Sequence, residues 1–290
     1  MTGRTTSRFA CVAALSVAAL FLAGAAHAQQ FIYGNTASGT AQQYLYKIDA
    51  ATGTVVKSCL MAKGNGRGIV VVGSTVYYTT ASNNNVYKTD FATCADNGIA
   101  FSVTGAASLS TIAFDGTNLW VGDYTSGSNK AFLYSTTGTL LQTITLPNCT
   151  GNCDGLEFFQ GKLISNRGDA DAGGYDVYSL TGTVITPLFI APTGFGATGI
   201  AFDGTNFIVS DIFNQKLQFY SGTNGAFIKT VTITGLVAGG NLLEDLSADY
   251  QITLGPAAVS VVPTMSEWGL ILMAALLALA GIVLLRRRNR

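Results

Sequence analysis

The chain has 290 residues, with 16 Lys/Arg balanced by 16 Asp/Glu, only 11% charged and 48% hydrophobic. Residues 30–260 alone hold 10 basic and 15 acidic residues, a net charge of −5; this excludes a nucleic-acid partner, whose polyanionic backbone needs concentrated positive charge. The one histidine, His27, falls in the leader described next, so the body lacks the imidazole of Ser-His-Asp and Cys-His nucleophiles and of most zinc sites.

In chain order, Arg4 and Arg8 precede an apolar run over 9–25, and Ala26-His27-Ala28 is a small-x-small site. This pattern predicts a signal peptide over 1–28, removed before Gln29. The run is short for a membrane span. The body is expected over 29–255. Strands are expected over 31–34, 44–49 and 54–60, a first unit that lacks its opening strand. Four complete units follow: strands over 68–72, 75–80, 85–90 and 98–103, then 111–114, 118–122, 131–135 and 139–146. The fourth covers 155–159, 162–166, 175–180 and 183–190, and the fifth 199–202, 206–210, 216–221 and 226–233. Each combines alternating β-branched or aromatic residues with Gly, Asn or Asp at the turns, as antiparallel hairpins do.

The units are copies of one pattern. Gly199-Ile-Ala-Phe-Asp-Gly-Thr-Asn-Phe-Ile-Val-Ser-Asp211 has a near twin in Thr111-Ile-Ala-Phe-Asp-Gly-Thr-Asn-Leu-Trp-Val-Gly-Asp123, and the glycines closing the first strand, Gly73, Gly116, Gly161 and Gly204, recur at 43, 45 and 43 residues. A step of about 40–50 residues with four strands per unit specifies propeller blades. The segment 242–250 aligns with the opening strands, Leu246 with Ile200, and supplies the strand the first unit lacks. The expected fold is therefore all-β: a five-bladed β-propeller closed by a C-terminal strand. Trp120, Phe132, Tyr134, Phe219 and Tyr220 are expected to pack between blades. The pattern resembles the NHL, YVTN and SMP-30-like propellers of bacteria, a group of diverse activities, so the resemblance implies a fold and no particular reaction.

With Cys11 in the leader, four cysteines remain. In an exported chain an even number favours disulfides; Cys149-Cys153 closes a short loop and leaves Cys59-Cys94, though three pairings, free thiols and a metal pair stay open. A linker is expected over 256–262. Beyond it, Val262-Pro263-Thr264-Met265-Ser266-Glu267-Trp268-Gly269 leads into an apolar run over 269–285 and then Arg286-Arg287-Arg288-Asn289-Arg290. The run is long enough to cross a bilayer as a helix, with the arginines holding its end in the cytoplasm. The octet resembles the IPTL-CTERM sorting signal, a relative of PEP-CTERM tails; Val262 and Met265 depart from its aliphatic positions, whereas Pro263, Thr264, Trp268 and Gly269 match. The resemblance implies a sorting domain over 263–290, transit through the membrane, an exosortase-like processing enzyme in a Gram-negative cell, and a body attached at the surface or released. An uncut single-pass anchor is the alternative.

No phosphate-binding glycine loop occurs in strand-loop-helix context, so carboxylates carry what chemistry there is. The alignment gathers at one mouth of the channel the residues preceding the inner strands (Arg67, Ser110, Asp154, Thr198, Glu244) and those ending the second strands (Asn35, Asp123, Asn166, Asp211). Arg67, Asp123, Asp154, Asn166, Asp211 and Glu244 form the candidate ligand-binding set. Calcium, which takes six to eight oxygens, is the metal such oxygens would suit; Asp169, Asp171 and Asp176 form a second candidate cation loop. Asp154, Glu157 and Glu244 are the carboxylates a glycosidase or lactonase would use. Against all of these, Asp123 and Asp211 are also the residue type that caps turns. The resulting expectation is an exported, surface-sorted binding module, with a carboxylate-based or calcium-dependent hydrolase and a structural envelope component as alternatives.

Overall fold

A computed structural model describes residues 31–37, 42–125, 127–150, 153–168, 173–192, 196–237 and 242–250. Its strands run β1 (Phe31–Thr36), β2 (Tyr44–Asp49), β3 (Val55–Leu60), β4 (Gly66–Val72), β5 (Thr75–Thr80), β6 (Asn85–Asp90), β7 (Ala95–Ser102), β8 (Leu109–Phe114), β9 (Asn118–Asp123) and β10 (Lys130–Ser135). They continue as β11 (Leu140–Thr145), β12 (Leu156–Phe159), β13 (Lys162–Asn166), β14 (Tyr175–Tyr178), β15 (Val184–Ile190), β16 (Ala197–Phe202), β17 (Asn206–Asp211), β18 (Lys216–Ser221), β19 (Phe227–Thr232) and β20 (Leu243–Tyr250). These form a five-bladed propeller. β20-β1-β2-β3 is the first blade, and β4–β7, β8–β11, β12–β15 and β16–β19 are the other four.

The closing strand lies where the repeat alignment expects it. β20 pairs antiparallel with β1, Ile32 opposite Ala248 and Gly34 opposite Leu246, so the edge that an open ring would expose is hydrogen-bonded. At its far end β20 also meets β4, Asp249 opposite Val71 and Tyr250 opposite Val72.

Period-2 alternation sends successive residues of each strand to opposite faces, and every blade interface carries its own apolar cluster. Phe219 faces the interface of the fifth and first blades, while its neighbour Tyr220 faces the fourth. Trp120, Phe132 and Tyr134 are likewise buried between blades.

Three inner strands, β4, β8 and β16, begin two residues earlier than the repeat pattern suggests, across an irregularity of register between Gly66 and Ile69, Leu109 and Ile112, and Ala197 and Ile200, whereas β12 begins one residue later, at Leu156. Similarly, β7 starts at Ala95 and runs through Gly98, whose positive φ of 72° sits within shifted pairing, as in a bulge. In the hairpins, Asp115 accepts the amides of Thr117 and Asn118, and Asp203 those of Thr205 and Asn206.

The turn between third and fourth strands approaches the preceding blade closely. A Cβ at Gly53 would strike Thr232 O and one at Gly225 would strike Phe189 O, so these turns admit only glycine. The second blade has Cys94 at this position, with φ 58°. Its side chain forms the disulfide with Cys59 of β3, turning a close approach into a covalent link between adjacent blades. Cys149 and Cys153 form the second disulfide.

Candidate functional site

Five equivalent positions, Glu244, Arg67, Ser110, Asp154 and Thr198, stand at the N-terminal ends of the inner strands. The five that follow, Asp245, Gly68, Thr111, Gly155 and Gly199, form the next layer of the channel. Glycine at one of these, Gly199, leaves the space that Asp245 occupies: a Cβ there would meet Asp245 Cα, whereas Gly68 and Gly155 lie against the inner strand of the next blade, at Thr111 and Thr198. The Asp245 carboxylate accepts the amides of Ile69 (3.2 Å) and Ile200 (3.3 Å) and the hydroxyl of Thr111 (3.1 Å). Strand β20 is thereby tied to three other blades through one fully buried side chain. Burial pushes the Asp245 carboxyl well above its ordinary range, against the pull of these donors.

A recurrent device supports this layer. In four of the blades a side chain at or next to the end of the second strand receives an amide of the inner strand: Asn35 Oδ1 that of Asp245 (3.1 Å), Thr79 Oγ1 that of Gly68 (2.7 Å), Asn166 Oδ1 that of Gly155 (3.2 Å) and Ser210 Oγ that of Gly199 (2.9 Å). Asn35 and Asn166 thus hold the strands that form the mouth.

Above this plug, Arg67 Nη1 lies 2.6 Å from Glu244 Oε1 and 4.0 Å from Asp154 Oδ2. Its guanidinium also stacks 4.7 Å from the centre of the Tyr124 ring. Glu244 and Asp154 are buried, and Arg67 remains 16% exposed at the mouth. Burial works against the charge of Arg67, but Glu244 and Asp154 outweigh it and hold the guanidinium protonated. Burial pushes the Glu244 carboxyl up, against the opposing pull of Arg67.

The other sequence-derived candidates sit as follows. Asp123 accepts the Thr125 amide (2.8 Å) and the Ser128 hydroxyl (2.6 Å), and Asp211 accepts from Asn214 (3.1 Å to its amide); both are buried and brace the loops at the mouth. Asp176 is held by Arg167, with Nη2 at 2.7 Å, by Asn148 Nδ2 at 2.8 Å, and by the Leu188 amide. Burial opposes ionisation of Asp176, yet the Arg167 fork and these amides keep its carboxyl below the ordinary range. Asp169 and Asp171 lie outside the described residues, and among the described residues no cluster of three metal-ligating side chains occurs.

Glu157 is separated from Asp154 and Glu244. Its Oε1 accepts the Tyr250 hydroxyl (2.5 Å) and the Phe158 amide (2.7 Å), and its Oε2 the Phe202 amide (3.3 Å). Tyr250 and Phe202 end their inner strands, so this group occupies the opposite end of the channel from Arg67. Burial raises the Glu157 carboxyl to about 8 despite the three donors. A carboxyl raised in the folded state makes that state hold more protons than the unfolded one, so stability falls as pH rises. The loss should build up steadily between about pH 4.5 and 8. Urea titrations of wild type and E157Q at pH 5 and pH 8 would check this: both should lose stability across the interval, since burial also raises Asp245 and Glu244, and the variant should lose less. On the same face a groove of about 500 Å³ lies between the fourth and fifth blades, lined by Phe159, Phe189, Phe202, Lys162 and Thr205 among others.

Comparison with known proteins bears on the two parts of the chain separately. Residues 262–288 match the IPTL-CTERM motif, a segment that contains Pro263, Thr264, Trp268 and Gly269 and lies outside the described residues together with the apolar run over 269–285. Among the described residues no helix is long and apolar enough to cross a membrane. The fold is similar to a chain of a nidogen/laminin complex, with a TM-score of 0.51 and 12% identity over 76% of this chain and 98% of that one. It is also similar to a protein of unknown function from Bacteroides caccae, with a TM-score of 0.50 and 9% identity over 76% and 99%. At such identities the likeness concerns the propeller alone. No curated protein matches the sequence. The sorting motif and the two disulfides are consistent with an exported protein of the cell envelope, passed through the membrane and processed by an exosortase-type enzyme.

Proposed function

We propose that the propeller is a binding module displayed at the outer surface of the cell, with its ligand seated at the channel mouth between Arg67, Asp154 and Glu244. The observation that carries this reading is the placement of a partly exposed arginine between two buried carboxylates at the end of an otherwise plugged channel. A fold stabilised by its apolar interfaces has no need of such a group, because ion pairs removed from water contribute little net stability. The second-strand residues Asn166, Asp123 and Asp211 position the loops around it. Calcium suits the mouth poorly, since a cation would have to displace Arg67 from Glu244. A hydrolase using Asp154, Glu157 and Glu244 together would have to unite groups from opposite ends of the channel.

The test is thermal-shift screening of the full chain in detergent against small polar compounds and glycans, followed by R67K and D154N. Arg67→Lys keeps the charge but loses the fork and the Tyr124 stacking, and should weaken any mouth ligand at least about tenfold, about 1.4 kcal/mol. A ligand whose affinity is the same in wild type and both variants would place the binding surface elsewhere.

A further inference from the structure

The inner ring of the mouth is fastened blade to blade by side chains that bond main-chain carbonyls of the next inner strand. Asn35 Nδ2 donates to Gly68 O (3.0 Å), Thr79 Oγ1 to Ser110 O, Tyr175 OH to Thr198 O (2.6 Å), and Ser210 Oγ to Glu244 O (3.1 Å). These close four junctions: first to second, second to third, fourth to fifth, and fifth to first. At the remaining one, from the third blade to the fourth, the equivalent second-strand residue is Gly122, which has no side chain to offer. The third blade has exchanged the pair that the fifth blade uses: Thr111 stands for Gly199 and Gly122 for Ser210.

Four polar atoms around the mouth are buried and lack a hydrogen-bond partner among the described residues, each from a different blade: Glu244 Oε2, Arg67 Nε, Ser110 Oγ and Asn166 Nδ2. Ser110, Asn166 and Glu244 are 0%, 3% and 1% exposed. Asn166 Nδ2 is idle because Tyr175 has taken the Thr198 carbonyl. Unpaired buried polar atoms are costly and uncommon in folded proteins, and four around one opening indicate a ligand that pairs with them.

We infer that this ligand is a neutral hydroxylated ring, a sugar, seated at the third blade, where the Ser110 hydroxyl lies in the space that a side chain at position 122 would take; the inference rests on the mouth being the binding site. The four atoms alternate in kind: a carboxylate acceptor, a guanidinium donor, a hydroxyl of either sense and an amide donor. A sugar hydroxyl, which donates and accepts at once, satisfies such a set. A carboxylate or phosphate ligand would face Glu244 and Asp154, and a cation would face Arg67.

Two variants test this. S110A removes a hydroxyl that has no partner among the described residues, so it should leave the melting temperature unchanged or higher while weakening the sugar at least fivefold. T111G/G122S installs the Gly199–Ser210 pair in the third blade, closes the fifth junction, and should abolish binding; its melting curve reports whether the fold is kept. Calorimetry of the full chain in detergent with methyl pyranosides, beside an array of oligosaccharides, separates a free monosaccharide from a glycan end. If no sugar binds, or if sugars bind S110A and T111G/G122S as they bind the wild type, the inference is overturned. If calcium, an amine or a carboxylate binds instead and R67K loses it, the sugar is overturned and the mouth stands; if nothing depends on Arg67, both fall.

Discussion

Replacing Asp245 with Ala should unfold the propeller about 3–5 kcal/mol more easily, the range for removing a buried group on which several polar partners depend. For a domain of this size that corresponds to a fall of about 10–15 °C in melting temperature. Three donors from three blades end on this carboxylate: the amides of Ile69 and Ile200 and the hydroxyl of Thr111. Each would face a cavity in the plugged channel, where water cannot readily replace the lost oxygen. D245N supplies the control. Asparagine preserves the volume and one acceptor but turns an NH2 toward at least one donor, so its loss should be intermediate. Scanning calorimetry of the three proteins gives the order. An alanine variant as stable as wild type would mean that β20 is held by its main-chain pairing with β1 and β4 and not by this carboxylate.

The second large effect concerns the inter-blade disulfide. Cys59 and Cys94 are 35 residues apart, and loop-closure entropy predicts about 4 kcal/mol of stability from the cross-link, against about 2 kcal/mol for a loop as short as that of Cys149 and Cys153. C59S/C94S should therefore melt well below C149S/C153S. The native Cys94 backbone adds a finer expectation. It lies in the left-handed region with φ 58°, at the turn position that other blades give to glycine. C59S/C94G should accordingly recover about 1 kcal/mol relative to C59S/C94S, from removing the Cβ penalty of that conformation. Equal stabilities for the two double variants would show that the turn relaxes once the sulfur is gone.

Much of this architecture is legible in the sequence because it is local and repeated. The glycines at 73, 116, 161 and 204, the Asp-Gly hairpins and the alternating aromatics each declare a strand or turn within a few residues. The assignment of 242–250 to the first blade needs only one unit with a missing member. The mouth is partly legible for the same reason: aligned positions fall at one height, and Arg67, Asp154 and Glu244 do converge. What the spacing hides is non-local. Asp245 reads as one more acid near the mouth; that it reaches across the channel follows from Gly199 having vacated the space, a glycine that looks like a turn residue in isolation. Glu157 follows Asp154 by three positions, which along a strand is about 10 Å and enough to carry a side chain toward the opposite end of the channel. The turn roles of Asp123 and Asp211 and the salt bridge of Asp176 depend on loop partners whose identity the repeat does not constrain.

The strand that completes the ring is also the strand that leads to the tail beginning at residue 251. Tension applied through the C-terminus would therefore act along β20, whose hydrogen bonds to β1 run across that direction. Bonds so loaded must yield together, whereas a hairpin pulled open at its end gives way one pair at a time. A propeller built this way would meet a pull on residue 251 with β1 and β20 paired in one blade, so the force would fall first on its last strand.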